Sequence, residues 1–400
     1  MKNMANKTNK YFCIQPFLNV TTRIQGHNNV CCNINDAPSN ITSESPTEFF
    51  NSPYVKKMRQ ELVDGKKLKD CELCHYQEKN HGISQRQMYN EYYFIKDNQD
   101  TGYYHNIIKK LRFDQLDKPL YVEMHVSNLC NLKCLTCNEK DSSQFHAENK
   151  MLGVSAYPDT NFTKFVVNTA KALEEVIHPK LLFLDIRGGE TLLVPEVKKQ
   201  LSNLDLGIAK NITLKIQTNG TIKPDTEWLE IFKKFKNTKV NISVDAYGDD
   251  NNYVRYPADW KDILETIECL KGEGIKFIIN TVVSNLNIMC LDKLLMWVQK
   301  NNYLNYLYML ESPDYYRPVN LPNECLKIAV SRLSKLTKKF ENQNTAGSVD
   351  RLIDMCNTII VGDDKNNLLW ESFIKEVKMR DKQRGNCIVD VIPEIRQFFD

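Results

Sequence analysis

Cys130-Asn131-Leu132-Lys133-Cys134-Leu135-Thr136-Cys137 is the stretch on which the reading of this chain turns. Three cysteines fall within eight residues, with three and then two residues between them. The segment before them, Tyr121-Val122-Glu123-Met124-His125-Val126, reads as a strand. Thiolates gathered on a loop at a strand's end suit a soft metal centre. Three are enough to hold three irons of a [4Fe-4S] cube, which leaves the fourth iron to a ligand that is not protein. A zinc knuckle or a set of free buried thiols competes with that reading on the triplet alone.

Beyond Cys137, helical stretches alternate with short apolar runs. The runs are Leu181 to Ile186, Ile212 to Ile216, Val240 to Val244, Lys276 to Val283 and Leu304 to Leu310. With the strand before Cys130 they make six, and strand–helix alternation implies parallel strands joined by right-handed crossovers. In such folds functional residues cluster at the C-terminal ends of strands. Gly188-Gly189-Glu190 follows the second run: glycines let a backbone approach a ligand closely, and the carboxylate can accept from an ammonium group. Gln217-Thr218-Asn219-Gly220-Thr221 follows the third. Ser243 and Asp245, two apart at the end of the fourth, project to one side and could hold vicinal hydroxyls. Arg255 follows ten residues later, and an arginine fork suits a carboxylate.

At 400 residues the chain has room for one large barrel and a smaller domain. Apolar content of 42% and charged content of 26% describe a soluble globular protein. A net charge of +3, with both signs interspersed, gives no electrostatic case for nucleic acid. The polar start Met1-Lys2-Asn3-Met4-Ala5-Asn6-Lys7 lacks the apolar core of a signal peptide, and no apolar run approaches a membrane span. A cytoplasmic location without membrane partners is therefore expected. There, thirteen cysteines are not a disulfide framework. The scattered Cys269, Cys290, Cys325, Cys356 and Cys387 are expected to be structural, as small buried hydrophobes.

In the N-terminal region, Tyr11 to Val20 reads as a strand, Gly26-His27-Asn28-Asn29 as a turn, and Val30-Cys31-Cys32-Asn33 as the return strand. Helical segments are expected from Thr47 to Phe50 and Pro53 to Val63, with Gly65 as a C-cap. Asp70-Cys71-Glu72-Leu73-Cys74-His75 follows. A Cys-x2-Cys pair with two upstream cysteine positions supplies four soft ligands, which fit zinc and iron–sulfur alike. Neighbouring strand residues point to opposite faces, so only one of Cys31 and Cys32 is expected to ligate.

The triplet, the Gly-Gly-Glu turn, the Thr-Asn-Gly turn and the Ser-x-Asp strand end, in this order, resemble the radical S-adenosylmethionine (SAM) superfamily. The likeness departs at Thr191, where relatives usually carry proline, and at Thr136, where an apolar or aromatic residue is usual. The resemblance implies an α/β fold with a partial (β/α)6 TIM-like barrel over 118–320. It assigns Cys130, Cys134 and Cys137 to a SAM-binding [4Fe-4S] cluster, Gly188, Gly189 and Glu190 to the amino group of SAM, and Ser243 and Asp245 to its ribose. Gln217 and Asn219 would face the cofactor, and Arg255 would meet the SAM carboxylate. Phe12-Cys13 ahead of Pro16-Phe17, the Cys31-Cys32 pair, the Phe49 to Tyr54 segment and Cys71-x2-Cys74 look like the Twitch/SPASM auxiliary module. By that likeness residues 1–117 form a small domain holding a second [4Fe-4S] cluster on Cys13, Cys31, Cys71 and Cys74, with Cys32 the rival to Cys31. In better-known relatives this module follows the barrel, whereas here it precedes it.

Residues 321–400 are expected to be a helical extension with a polar break near 342–347. Arg380-Asp381-Lys382-Gln383-Arg384 resembles a tail that recurs in Twitch-containing relatives. The implied activity is reductive cleavage of SAM to a 5′-deoxyadenosyl radical that takes hydrogen from a peptide side chain. A sugar, aminocyclitol or nucleotide metabolite is the alternative substrate. An electron-transfer or binding protein is the alternative of another class, but it would have no use for Gly-Gly-Glu and Ser-x-Asp. A one-electron reductant such as flavodoxin or ferredoxin is the implied partner. Glu311, Asp314, Tyr315, Tyr316 and Arg317 are candidates for substrate contact, and Cys290 for a hydrogen-atom donor.

Overall fold

The computed structural model describes residues 9–24, 26–34, 45–80, 84–94, 117–160, 172–337, 343–361 and 367–399. It divides into two compact units, one of Met1–Asn128, Thr160–Ile216 and Glu227–Thr238, the other of Leu129–Asp159, Gln217–Thr226 and Lys239–Asp400. The fold is α/β with mostly parallel strands, as expected. The first unit holds β1 (Asn19–Thr22), β2 (Asn28–Asn29), β3 (Tyr121–His125), β4 (Phe183–Arg187) and β5 (Thr213–Thr218) as far as Ile216. The second holds β6 (Asn237–Ser243) from Lys239 on, β7 (Lys276–Val283) and β8 (Asn305–Met309). Strands β3 to β8 are the six read from the sequence.

β1 adds to that series. It pairs antiparallel with β2 but parallel with β3, with Thr21 opposite Glu123. β4 and β5 continue the register, so Val20, Val122, Leu184 and Leu214 form one row, all fully buried. The next row is Thr21, Glu123, Asp185 and Lys215. Side chains alternate between faces along a strand. One face of this sheet is therefore aliphatic and the other is charged.

The N-terminal segment departs from the expected hairpin. Residues 15–18 form a short helix, Gln15–Leu18, with Pro16 in its first turn, and the strand begins only at Asn19. All four helical residues are buried, so no hydrophobic period could reveal them. The return strand is only Asn28–Asn29, which leaves Cys31 and Cys32 on a turn rather than a strand. The expected helices are present as Pro46–Phe50 and Pro53–Val63, each capped by a serine, Ser45 and Ser52. Phe12, Phe17, Phe49, Phe50, Tyr121 and Phe183 share one apolar cluster. Each such ring contributes about 1.5–3 kcal/mol on burial.

In the second unit the C-terminal region is helical: Asn323–Thr337, Gln343–Val361 and Asn367–Arg384. The polar break expected near 342–347 falls from Gln343 onward inside a helix, and residue 342 lies outside the described residues.

Candidate functional site

The cysteine loop leaves β3 through Ser127 and Asn128 and is held by backbone and side chains together. Its Lys133 and Leu135 amides donate to the carbonyls of Tyr256 (2.7 Å) and Val254 (2.9 Å). Ser142 Oγ donates to Leu132 O (2.6 Å), and Cys130 N donates to Ser143 Oγ (3.2 Å). Asn219, expected to face a cofactor, donates instead to Asn131 Oδ1 (2.8 Å), whose amide donates on to Thr221 Oγ1 (2.8 Å). Thr221 closes the ring onto Asn219 Oδ1 (2.7 Å). The Thr-Asn-Gly turn is thus a clasp on the loop between the first two cysteines. Gly220 is required in it, because φ is +78° and a Cβ would stand 2.7 Å from Ile242 Cγ2.

Cys130, Cys134 and Cys137 gather in one cluster with Leu132 and Ala258. Burial pushes the Cys134 and Cys137 thiols up, and the Arg255 and Arg384 charges pull Cys134 back down. Thiols must lose their protons to bind metal, so these cations favour the ligating form. Among the described residues no three His, Cys, Asp or Glu side chains converge on one point as a single metal ion would require. A [4Fe-4S] cube asks something else, since each thiolate meets its own iron and the sulfurs surround the cube. The donor set, three soft thiols on one loop, fits such a cluster.

Asp245 and Arg255 act as a pair. Arg255 Nη1 donates to Asp245 Oδ2 (2.8 Å), Val282 N donates to Asp245 Oδ1 (2.8 Å), and the carboxylate is fully buried. Asp245 therefore orients the guanidinium. Arg255 Nε is buried with no hydrogen-bond partner, an orphaned donor that a ligand carboxylate would satisfy. Ser243 Oγ accepts from Gln217 Nε2 (2.5 Å), and Gln217 Oε1 accepts from Asn280 (3.3 Å). This polar strip crosses strand ends, and Tyr306 and Tyr308 on β8, both 46% exposed, share its face opposite Asn280 and Val282. The two tyrosines were not singled out from the sequence, where Leu304 to Leu310 looks like an ordinary apolar run.

The Gly-Gly-Glu turn belongs to the first unit. Gly188 has φ of +131°, and a Cβ there would collide with the Ser127 carbonyl oxygen. Gly189 N donates to that same carbonyl (2.7 Å). Glu190 is fully buried, and its Oε1 accepts from Leu192 N (3.0 Å), capping the turn that follows.

A further support for the cysteine loop comes from the C-terminal tail. Arg384 Nη2 donates to Lys133 O (2.7 Å) and to Glu148 Oε2 (2.6 Å), and its Nε donates to Glu148 Oε1 (3.0 Å). Arg380 donates to the same carboxylate (2.6 Å) and to Asn149 (2.6 Å), and Lys133 Nζ lies 3.0 Å from it. Burial alone would push the Glu148 carboxyl up, but bonds from Arg384, Lys133 and Arg380 hold it down to about 2. Asp381 accepts from Tyr253 Oη (2.8 Å). The i, i+4 spacing of the arginines was visible in the sequence, and the buried glutamate they meet was not.

In the first unit, Cys13, Cys31, Cys71 and Cys74 line one cavity of about 370 Å³, solvent at its mouth included. Cys32 is absent from that lining, and its thiol meets the Gln85 amide (3.2 Å) instead. Burial pushes the Cys71 thiol up to about 11, with Cys74 and Asp70 adding to it. Asn33 donates to Cys74 Sγ (3.3 Å), and Arg86, bonded to Phe12 O (2.6 Å), lines the same space. Four thiols around one cavity, with no three converging on one point, fit a cluster better than a single zinc ion. Asn33 and Arg86 are the polar neighbours that sequence reading missed.

The loop after β8 is mostly structural. Tyr316 is buried against Phe373, and Glu311 pairs with Arg317 at 3.7 Å. Cys290 is buried and donates to Asn287 O (3.4 Å), as a core thiol does. No helix among the described residues is long and apolar enough to cross a membrane.

Among curated proteins none matches the chain. Solved structures similar to it include native anSMEcpe with bound AdoMet, at 19% identity and a TM-score of 0.37 over 54% of this chain and 59% of that one. Streptococcus suis SuiB bound to S-adenosylmethionine is similar at 16% identity and a TM-score of 0.39, over 73% and 60%. SuiB bound to the precursor peptide SuiA is similar at 15% identity and 0.37, over 60% and 51%. The chain thus spans about three-fifths or less of the length of these structures. Residues 124–298, from β3 to the helix after β7, match the family model described as the Radical SAM superfamily.

Proposed function

We propose that the chain cleaves SAM reductively and uses the radical to take a hydrogen atom from a peptide side chain. The observation that carries this reading is the gathering of three thiols beside an arginine with an orphaned donor. The chemistry supplied there, once a [4Fe-4S] cluster and SAM are bound, is cleavage of the sulfonium to methionine and a 5′-deoxyadenosyl radical. Cys130, Cys134 and Cys137 would hold the cluster. Arg255, oriented by Asp245, would take the SAM carboxylate on its Nε edge, and Gly188, Gly189 and Glu190 would receive the amino group. Gln217 and Ser243 would meet the ribose. The cysteine loop is anchored from several sides, which keeps it in place while substrate binds.

Cys13, Cys31, Cys71 and Cys74 would hold a second [4Fe-4S] cluster, with Cys32 outside the set. The module-like order of these cysteines in the sequence supports a cluster over zinc, and the relatives that carry such a module support a peptide as substrate. A flavodoxin or ferredoxin would deliver the electron in the cell. The test is anaerobic reconstitution, iron and sulfide counting, then SAM with dithionite as reductant. 5′-Deoxyadenosine should form and should vanish when Cys130, Cys134 and Cys137 are exchanged for Ala. SAM binding without 5′-deoxyadenosine under reducing conditions would sink the reading.

A further inference from the structure

Buried amides in folded proteins are nearly always hydrogen-bonded. Gln15, in the first unit, is not. It opens the short helix Gln15–Leu18 and is 2% exposed. Its neighbours Cys13, Ile14, Phe17 and Leu18 belong to the apolar cluster of that unit. Yet both of its side-chain amide atoms, Nε2 and Oε1, are buried with no hydrogen-bond partner. Among the described residues no other side chain carries two such atoms. A glutamine held this way is destabilising, because an unpaired buried amide has left water and gained no bond in return. An apolar side chain of the same length would fill the space without that penalty.

Gln15 lines the cavity shared by Cys13, Cys31, Cys71 and Cys74. Other N–H groups there already point at sulfur. Burial pushes the Cys13 and Cys31 thiols up, and hydrogen bonds from the backbone of Gln15 and of Asn33 pull them back down. Asn33 Nδ2 donates to Cys74 Sγ (3.3 Å). Further polar residues of the lining are engaged elsewhere. Arg86 donates to Glu78 (2.6 and 3.0 Å) and to Phe12 O (2.6 Å), and Gln85 donates to Cys32 Sγ (3.2 Å). Asp70 accepts from Tyr54 Oη (2.9 Å). Gln15 Nε2 needs an acceptor, and the thiolates and inorganic sulfides of an iron–sulfur cluster accept without donating. The terminal amide turns about a soft last torsion, so its donor can face either side.

We propose that Gln15 donates from Nε2 to a sulfur of the iron–sulfur cluster in this cavity and, with Asn33, raises the reduction potential of that cluster. This deepens the proposed function and rests on the second cluster of that reading. Reduction adds one electron and no proton, so the sulfurs gain negative charge and hydrogen bonds to them strengthen. Gln15 and Asn33 thereby favour the reduced form. They make the cavity a better electron acceptor than four buried thiolates would be alone. The amide that destabilises the metal-free protein is in this way the one that tunes the loaded one.

The test uses the full chain, reconstituted anaerobically in a C130A/C134A/C137A background that keeps only the second cluster. Its reduction is followed by electron paramagnetic resonance while dithionite sets the potential. Q15M keeps the length of the side chain and removes the donor. At a fixed potential the ratio of reduced to oxidised cluster should fall about tenfold, which is about 59 mV for one electron. N33L removes a donor already bonded to sulfur and should move the ratio the same way, and Q15M/N33L should move it further. Iron content of Q15M should match the background, because no ligand is lost. Metal-free Q15M should melt no lower than the metal-free background, because the amide has no partner there. An unchanged potential in Q15M overturns the role of Gln15 and leaves the second cluster standing. Lower melting of metal-free Q15M with an unchanged potential assigns Gln15 to structure alone and overturns the proposal as well. A background protein that takes up no iron and sulfide overturns the second-cluster reading and this inference with it.

Discussion

Exchange of Arg384 for Gln should loosen the cysteine loop from a distance of 251 positions in sequence. The substitution removes two bonds to the buried Glu148, one to the Lys133 carbonyl, and the guanidinium lying 5.2 Å from the Tyr256 ring centroid. Removing one partner from a buried ion pair costs about 3–5 kcal/mol. Glu148 keeps Arg380 and Lys133, so the lower end, about 3 kcal/mol, is the expectation here. At roughly 2 °C per kcal/mol for a chain of this size, Tm should fall by about 6 °C. Arg384 also lends positive charge to Cys134, so R384Q should reconstitute with less iron than the wild type. R384K keeps the charge without the fork and should fall between the two. K382Q, at an exposed neighbour, should stay within about 0.5 kcal/mol of wild type. Scanning fluorimetry and iron counts read all three. R384Q matching K382Q in both Tm and iron would refute the clamp.

Three further outcomes are expected. G188A should be poorly folded or fail to bind SAM in equilibrium dialysis, because the new Cβ meets the Ser127 carbonyl and the residue must hold a positive φ. Exchange of Cys71 and Cys74 for Ala should remove about half the iron of a two-cluster protein. C31A should act likewise and C32A should not, so equal iron in C31A and C32A would contradict the assignment. Glu148, held at about 2 against about 4.3 in an unfolded chain, contributes roughly 3 kcal/mol that is present above pH ~4.3. That contribution is lost as pH falls from ~4.3 toward ~2. Acid unfolding of the metal-free protein, followed by circular dichroism, should show a loss across this window that E148Q lacks.

Much of this arrangement was legible because it is local. Strand runs, the cysteine triplet and the Gly-Gly-Glu turn are contiguous stretches whose residue types carry the signal themselves. The short helix Gln15–Leu18 was missed because burial on every side leaves no period to detect. The Asn219 clasp was not foreseen for another reason. A polar turn at a strand end suits a ligand or a neighbouring loop equally, and only the register of Asn131 with Thr221 decides. The charged face of β3, β4 and β5 was hidden for the same reason, since Glu123, Asp185 and Lys215 are single residues that become a row only when strands align.

The dependence of the cysteine loop on Arg384 also orders events during synthesis. The ribosome makes about 5–20 residues per second, so some 12–50 s pass between the appearance of Lys133 and that of the arginine that grips its carbonyl. Through that interval the loop lacks one of its anchors. Delivery of iron and sulfide to the nascent chain would meet a looser loop than delivery after release. A cell that loads the cluster late therefore checks, in the same step, that synthesis has run at least as far as residue 384.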